Sequence, residues 1–403
     1  DLRVAKRGSG RPDTEFNLDT SSPPSCAKAT CWKVEIRNKV AKMAKNLVIC
    51  SFIVNKSGRI YGFSRKRRAI MRKVVQNSSL ISPLLSVAPM IDWTDRHCRY
   101  FHRQLSPNAL VYTEMITTGA VLHGDLDKLL GYSDCEHPIA LQLGGSEPED
   151  LARSAKTGED FGYDEINLNC GCPSERVQKG SFGACLMREP DLVADCIKSM
   201  QDAVSVPVTV KCRIGIDDSE DYSFLETFVE KIAATGCTKF IIHARKAWLK
   251  GLSPKENREI PPLRYDIAAL LKKNHPDLTI ILNGGVNTLA MIDGLLPDFD
   301  GFMIGREAYQ NPWYLAELEH KLFGTPLPDR YAIVAHMAEY IETRRASAGM
   351  PIHSTTRHML GLFNGLRGAK KWRQTLGGEA HAADSAQGLF DLALTQLIGA
   401  EAA

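Results

Sequence analysis

Eight short apolar runs punctuate the chain from Leu84 onward: LLSVAPM at 84, ALVYTEM at 109, PIALQLGG at 138, EINLNCGCP at 165, VPVTVKCRIG at 206, KFIIHAR at 239, LTIILNGG at 278 and GFMIGRE at 301. Each is rich in Val, Ile and Leu and bounded by Gly, Pro or polar residues. Strands of a parallel sheet covered on both faces read this way. Longer stretches of helical period separate them. In YSFLETFVEKIAATG, Leu225, Phe228, Val229, Ile232 and Ala233 fall on one helix face, and Gly236 stands where a C-terminal cap belongs. DLVADCIKSMQDAV (191–204) and DIAALLKKN (266–274) repeat the pattern. The unit is strand then helix, eight times over, within the ~250 residues typical of a (β/α)8 TIM barrel. A doubly wound open sheet is the alternative, and no GxGxxG after the first strand supports it.

After Phe323 the period changes. GTPLPDR reads as a proline-rich linker, and YAIVAHMAEYIETRRASAG and HMLGLFNGLRGAKKWRQTLGG read as helices. The expected organisation is a barrel over 81–323 and a small helical domain over 324–403, behind a basic extension over 1–80. That extension holds 18 Lys/Arg against 5 Asp/Glu, leaving 32 against 42 in the remainder. It reads as a targeting peptide, as a basic arm for nucleic acid, or as sequence ahead of a start at Met71; the last is the expectation. Its longest apolar run, Leu47 to Val54, falls far short of the ~20 residues that cross a bilayer. Eleven scattered cysteines, with neither CxxC nor zinc-ligand spacing, suit a reduced cytoplasmic protein without a metal.

Candidate chemistry sits where the strands end, which in a barrel is one shared mouth. Pro89, Met90 and Ile91 follow the first strand, Glu114 and Met115 the second, Gln142 the third, and Asn169 and Cys172 the fourth. Lys211 and Arg213 close the fifth and His243 and Arg245 the sixth, while Asn283-Gly284-Gly285 and Gly305-Arg306 close the last two. The glycines permit close backbone approach to a phosphate, with Arg306 adding charge. Lys211 needs an anionic partner, either a cofactor or Glu114, because a buried ammonium is expensive. Cys170 and Cys172, in CGC, are poorly spaced for an unstrained disulfide and lack a second cluster to complete a metal site.

Taken in order, SVAPMIDWTDRHCRYF, LQLGGSEP, EINLNCGCPS, VKCRIGIDD, IIHARKAWLKGLSPKENREIPPL, NGGV and IGREAYQNPW resemble the tRNA-dihydrouridine synthases, A-type subfamily, over residues 84–375. The departure is the basic extension. The resemblance implies FMN over the barrel mouth, contacted by Pro89, Met90, Ile91, Gln142, Lys211 and His243, with its phosphate at Asn283, Gly284, Gly285, Gly305 and Arg306. It implies NADPH as reductant, hydride transfer to C6 of D-loop uridines 20 and 20a of tRNA, and Cys172 as the proton donor to C5. A thiol of ordinary pKa, about 8.5, is mostly protonated at neutral pH and can serve as that acid. Asn169 is then placed for the uracil edge, and Cys170 for packing.

Because the chain beyond residue 80 is net acidic, tRNA binding needs a local basic face. Arg176 and Lys179 in the loop after CGC, Lys246, Lys250, Lys255 and Arg258 after the sixth strand, and Arg357, Lys370, Lys371 and Arg373 near the C-terminus are the candidates. Trp248 and Trp372 stand among them as bases' stacking partners or as core. The enzyme is expected to be a monomer. A flavin reductase of a small pyrimidine is the alternative, against which the loop GLSPKENRE and the helical C-terminus argue. An RNA chaperone with a vestigial flavin site is opposed by the presence of Cys172, Lys211 and His243.

Overall fold

The computed structural model describes residues 84–402 apart from Glu220, so the expectations for residues 1–80 lie outside the described residues. All eight runs are strands: β1 (Leu85–Val87), β2 (Leu110–Thr117), β3 (Ile139–Gly144), β4 (Glu165–Cys170), β5 (Val208–Arg213), β6 (Lys239–His243), β7 (Thr279–Asn283) and β8 (Gly301–Ile304). They close in sequence order into one parallel barrel, with β1 pairing both β2 and β8. The second strand runs past its expected end at Met115 to Thr117, with an irregular register between Tyr112 and Met115.

Successive side chains of a strand alternate between faces, and here the two faces differ in character. Ile166, Leu168 and Cys170 of β4, Val208, Val210 and Cys212 of β5, and Ile139, Leu141 and Leu143 of β3 join the apolar layer between strands and helices. Ala88, Leu110, Tyr112, Ala140, Ile241, Ile281 and Met303 form a smaller, separate core. The expectation of strands apolar on both faces therefore fails for β3, β4 and β5, whose other face carries Gln142, Glu165, Asn167, Asn169 and Thr209, all buried.

These polar groups are mutually satisfied. Asn169 Nδ2 donates to Gln142 Oε1 (2.8 Å), Gln142 Nε2 to Asn167 Oδ1 (2.8 Å), and Asn167 Nδ2 to Thr209 Oγ1 (2.9 Å). Thr209 then donates to Glu165 Oε1 (2.7 Å), which also accepts from the Tyr112 hydroxyl, and Lys239 pairs with Glu165 Oε2 at 2.8 Å. Each buried polar atom in the column thereby avoids the penalty of a lost hydrogen bond.

Helices cover the outside. Arg96–Leu105 begins at Asp95, whose carboxylate accepts from the backbone N–H groups of His97 and Cys98. Tyr222–Ala233 buries Leu225, Phe228, Val229 and Ile232 as its spacing predicts. Thr288 caps Leu289–Leu295 through its hydroxyl. Beyond Trp313–Phe323 the helix Arg330–Ala348 packs on Arg96–Leu105, with the rings of Tyr340 and Tyr100 stacked 3.8 Å apart. The stretch HMLGLFNGLRG was expected to be helical but is a series of turns between His353–Thr356 and Ala369–Glu379. Gly365 and Gly368 take φ of 83° and 85° there, a conformation that ends a helix. The final helix is Ala386–Ala402, and the described residues from Leu84 to Ala402 belong to one compact unit. Among the described residues no helix is long and apolar enough to cross a membrane.

Candidate active site

At the top of the polar column Asn169 Oδ1 accepts from the N–H groups of Gly171 (3.0 Å) and Cys172 (2.9 Å). This carboxamide therefore folds the CGC loop back over the strand ends, and one Nδ2 hydrogen is all it has left for a ligand. Cys172 is half-buried and free, its Sγ 3.6 Å from Ser174 Oγ, while Cys170 is a buried free thiol in the outer apolar layer. The two are neither a disulfide nor on one face.

Arg213 supplies the second brace. Its Nε donates to Gly171 O (2.9 Å), and its Nη1 donates to Lys246 O (2.9 Å) and Asn257 O (3.0 Å), so one buried guanidinium ties the CGC loop to the long loop after β6. Burial draws its pKa down to about 10. Gln178 Nε2 adds a parallel tie, donating to Pro173 O and Leu249 O at 2.8 Å each. Gln178 was missed as a site residue, while Arg213, named at the end of the fifth strand without a role, shares its strand face with Lys211.

Lys211 is level with Asn169 across β4 and β5, and its Nζ makes no hydrogen bond or ion pair among the described residues. The alternative partner, Glu114, instead accepts from the Asp92 N–H. Burial first, and then Arg213, pull the Lys211 pKa down to about 8. His243, beside Asn283 in the register, is held neutral: burial lowers its pKa well below the usual value, and Arg213, Lys211, Arg245 and Arg258 add to the effect.

Next to it Gly284 and Gly285 take φ of 112° and 69°. A Cβ on Gly284 would stand 2.7 Å from His243 Cδ2, so glycine here makes room for the ring. The backbone N–H groups of Gly284, Gly285, Gly305 and Arg306 have no protein acceptor among the described residues. Asn283 is spent internally, its Nδ2 donating to Met303 O (2.7 Å). Arg306 pairs with Glu259 (2.6 Å) and donates to Arg258 O (3.2 Å), and thereby holds the loop after β6.

Across the mouth the Pro89–Met90–Ile91 turn is closed by its own bonds, Thr94 Oγ1 accepting from the Met90 N–H (2.9 Å) and Met90 O accepting from Trp93 and Thr94. It leaves the Ile91 side chain 54% exposed, an apolar surface at the rim. A ring-bearing group with a phosphate suits this donor set: apolar cover from Ile91, a lysine lacking an anion, and unspent N–H groups at the glycine turns.

The remaining candidates are more scattered. Lys255 and Arg258 are exposed on the loop after β6, which is wound around buried Asn257, its side chain bonded to the Trp248 backbone from both ends. Lys246 lies 4.5 Å over the Trp248 ring. Arg357 pairs with Asp95 at 2.6 Å, and Lys370, Lys371 and Arg373 are exposed, Arg373 donating to Asn364 Oδ1 (2.6 Å). Trp372 is fully buried, packed on Phe363 and Phe390 with its N–H on Met359 O, which rules out base stacking. Helix Glu175–Lys179 carries Arg176 and Lys179, whose side chains lie outside the described residues.

An eight-stranded parallel barrel whose mouth joins a half-buried free thiol, a buried lysine without an anionic partner among the described residues and a phosphate-type glycine turn is the architecture of a flavin-dependent oxidoreductase. The family model described as dihydrouridine synthase (Dus) matches residues 86–396, and the chain belongs to that family. It is 56% identical over 316 residues to the tRNA-dihydrouridine(20/20a) synthase of Vibrio cholerae, covering 78% of this chain and 96% of that protein. The synthase of the same description from Salmonella typhi is 55% identical over 327 residues (80% and 98%), and that of Pseudomonas aeruginosa 54% over 321 (79% and 96%).

Proposed function

We propose that this protein reduces D-loop uridines 20 and 20a of tRNA to 5,6-dihydrouridine in the cytoplasm, using FMN and with NADPH as the electron source. The observation that carries the mechanistic reading is the presentation of Cys172 at the mouth by two independent braces, Asn169 Oδ1 and the Arg213 guanidinium acting through Gly171.

Pro89, Met90, Ile91, Gln142, Lys211 and His243 would hold the flavin ring, and the turns at Asn283, Gly284, Gly285, Gly305 and Arg306 its phosphate. When bound and reduced, FMN supplies the hydride that adds to uracil C6. That addition places negative charge on C5 and O4 of the base. The Cys172 thiol gives its proton to C5, and the surrounding Lys211, Arg213 and Arg258 stabilise the thiolate left behind. Neutral His243 offers a ring N–H as a donor without adding charge. A uridine reaches this pocket by leaving its stack, at a cost of a few kcal/mol that is least in an irregular loop. The exposed Lys255 and Arg258, with Lys371 and Arg373, supply phosphate contacts around it.

The test is Cys172→Ala. Flavin absorbance and tRNA affinity are expected to persist while dihydrouridine formation falls by roughly 10²- to 10⁴-fold, the worth of a positioned general acid. Wild-type turnover by the variant would remove Cys172 from the proton step.

A further inference from the structure

The seam between helix Arg96–Leu105 and helix Arg330–Ala348 carries two arginines that neither the fold nor the mouth chemistry uses. The stacked pair Tyr100–Tyr340 and the 2.8 Å bond from His97 Nδ1 to the Tyr340 hydroxyl fix the two helices against each other. Arg96 lies one turn before Tyr100 and Arg344 one turn after Tyr340, so both come to the same end of that contact.

Each guanidinium has a buried nitrogen left unpaired. The Nε of Arg96 and the Nε of Arg344 are shut from solvent with no hydrogen-bond partner, and neither side chain forms an ion pair among the described residues. Both side chains remain partly exposed. Three carboxylates near the seam are taken: Glu136 by Arg99 at 2.8 Å and by the Ser133 N–H, Glu342 by Arg345 and the Ala386 N–H, and Asp95 by Arg357 and His358, while Glu339 is exposed on the Arg330–Ala348 helix. Burial and then Arg344 push the Arg96 pKa below the usual arginine range, Arg99 adds to the effect, and Tyr340 and Glu136 offset only part of it. Arg96 Nη1 is also pressed against Gly131, where a Cβ would stand 2.9 Å from it. Two cations held side by side against their mutual repulsion leave a strong, local demand for an anion.

The location favours one kind of anion. Arg96 follows the Pro89–Ile91 rim turn by five residues, at the end of its helix that faces the mouth. Arg344 comes from the segment beyond the barrel. A folded RNA that delivers one base into the mouth has to run its backbone over this rim, and a planar fork of donors matches a phosphate. We propose that Arg96 and Arg344 together seat a backbone phosphate of the bound tRNA. The proposal rests on tRNA being the substrate.

The experiment uses Arg96→Gln, Arg344→Gln and Arg344→Lys in the full chain, measuring tRNA affinity across a salt series and melting temperature without tRNA. The Gln variants are expected to raise the tRNA Kd roughly fivefold to tenfold and to flatten the salt slope by about one ion per lost contact, while Arg344→Lys keeps most of both. Because a strained like-charge pair is relieved, the melting temperature is expected to hold or rise. A purely structural role would lower it. Unchanged Kd and slope in both Gln variants overturn the proposal, and if inorganic phosphate stabilises the wild type but not those variants, the anion is free phosphate instead. A wild-type protein that fails to bind tRNA at all would sink the substrate assignment itself, a result distinct from a wild type that binds and variants that match it.

Discussion

Lys211 shows how a single side chain can call for an anion. An unperturbed lysine has a pKa near 10.4, and this one sits at about 8 because it is buried beside Arg213 with no anion in reach. Its folded value is depressed, so its charge is lost as pH rises through about 8. An anionic flavin favours the charged form and lifts the value again. Flavin binding at pH 8.5 to 9 is therefore expected to take up a proton, visible as a buffer-dependent calorimetric enthalpy, and Lys211→Met should abolish the dependence. Equal enthalpies in buffers of different ionisation heat would contradict it. The sequence placed Lys211, Cys172 and His243 at the mouth by strand position alone. It left Trp372 open between base stacking and core and did not show that Asn169 Oδ1 is occupied by the loop, because a backbone N–H two residues away and a distant Phe390 leave no local trace in the string of letters.

The element that matters most is the loop from Cys170 to Ala184. Gly183 takes φ of 79°, and a Cβ there would come within 2.6 Å of Cys172 O and 2.4 Å of Val177 Cγ1. Gly236 has φ of 95° but open space around it. Gly236→Ala should thus cost about 1 kcal/mol of backbone strain with turnover kept, whereas Gly183→Ala is expected to displace Cys172 and lower dihydrouridine formation at least tenfold. Equal losses in the two variants would mean that the loop tolerates the clash. At this scale the sequence was highly legible: seven of the eight strands lie within the expected runs, and β2 overshoots its run by two residues, to Thr117. What it hid was the polar inward face of β3, β4 and β5, since the mixed runs IALQL and INLNC look the same whether their polar residues are outside in water or inside on each other. The turns at 358–368 were hidden for a similar reason, as glycines inside an apolar pattern are compatible with helix until backbone angles are known.

For the whole molecule the buried histidines set the acid limit. Burial draws His97 down to about 4 and His102 to about 3, and His243 and His358 are lowered as well. An unfolded histidine titrates near 6.5, so between there and the folded values the unfolded chain binds more protons. Stability is present above pH 6.5 and falls as pH drops through this window, by roughly 2 kcal/mol at pH 5 for each histidine held as low as His97. Asp95, held well below the usual carboxylate range by His358 and the capped helix despite its burial, works in the same direction only at lower pH. Denaturant midpoints at pH 7 and pH 5 check this, and His102→Gln should narrow the gap between them. A midpoint independent of pH over that span would show that the rings stay solvated.

The polar column inside the barrel acts as a gauge of strand stagger. Apolar side chains are interchangeable under a slide of two residues, because the same face stays inward and oil packs on oil. The column has no such freedom: it links Tyr112 on β2, Gln142 on β3, Glu165, Asn167 and Asn169 on β4, Thr209 on β5 and Lys239 on β6, and each amide meets its partner at one offset only. Five of the eight strands are thus cut to a common length scale that ends at Asn169. The height at which the thiol of Cys172 stands above the barrel is calibrated from the floor up, by hydrogen bonds inside the barrel.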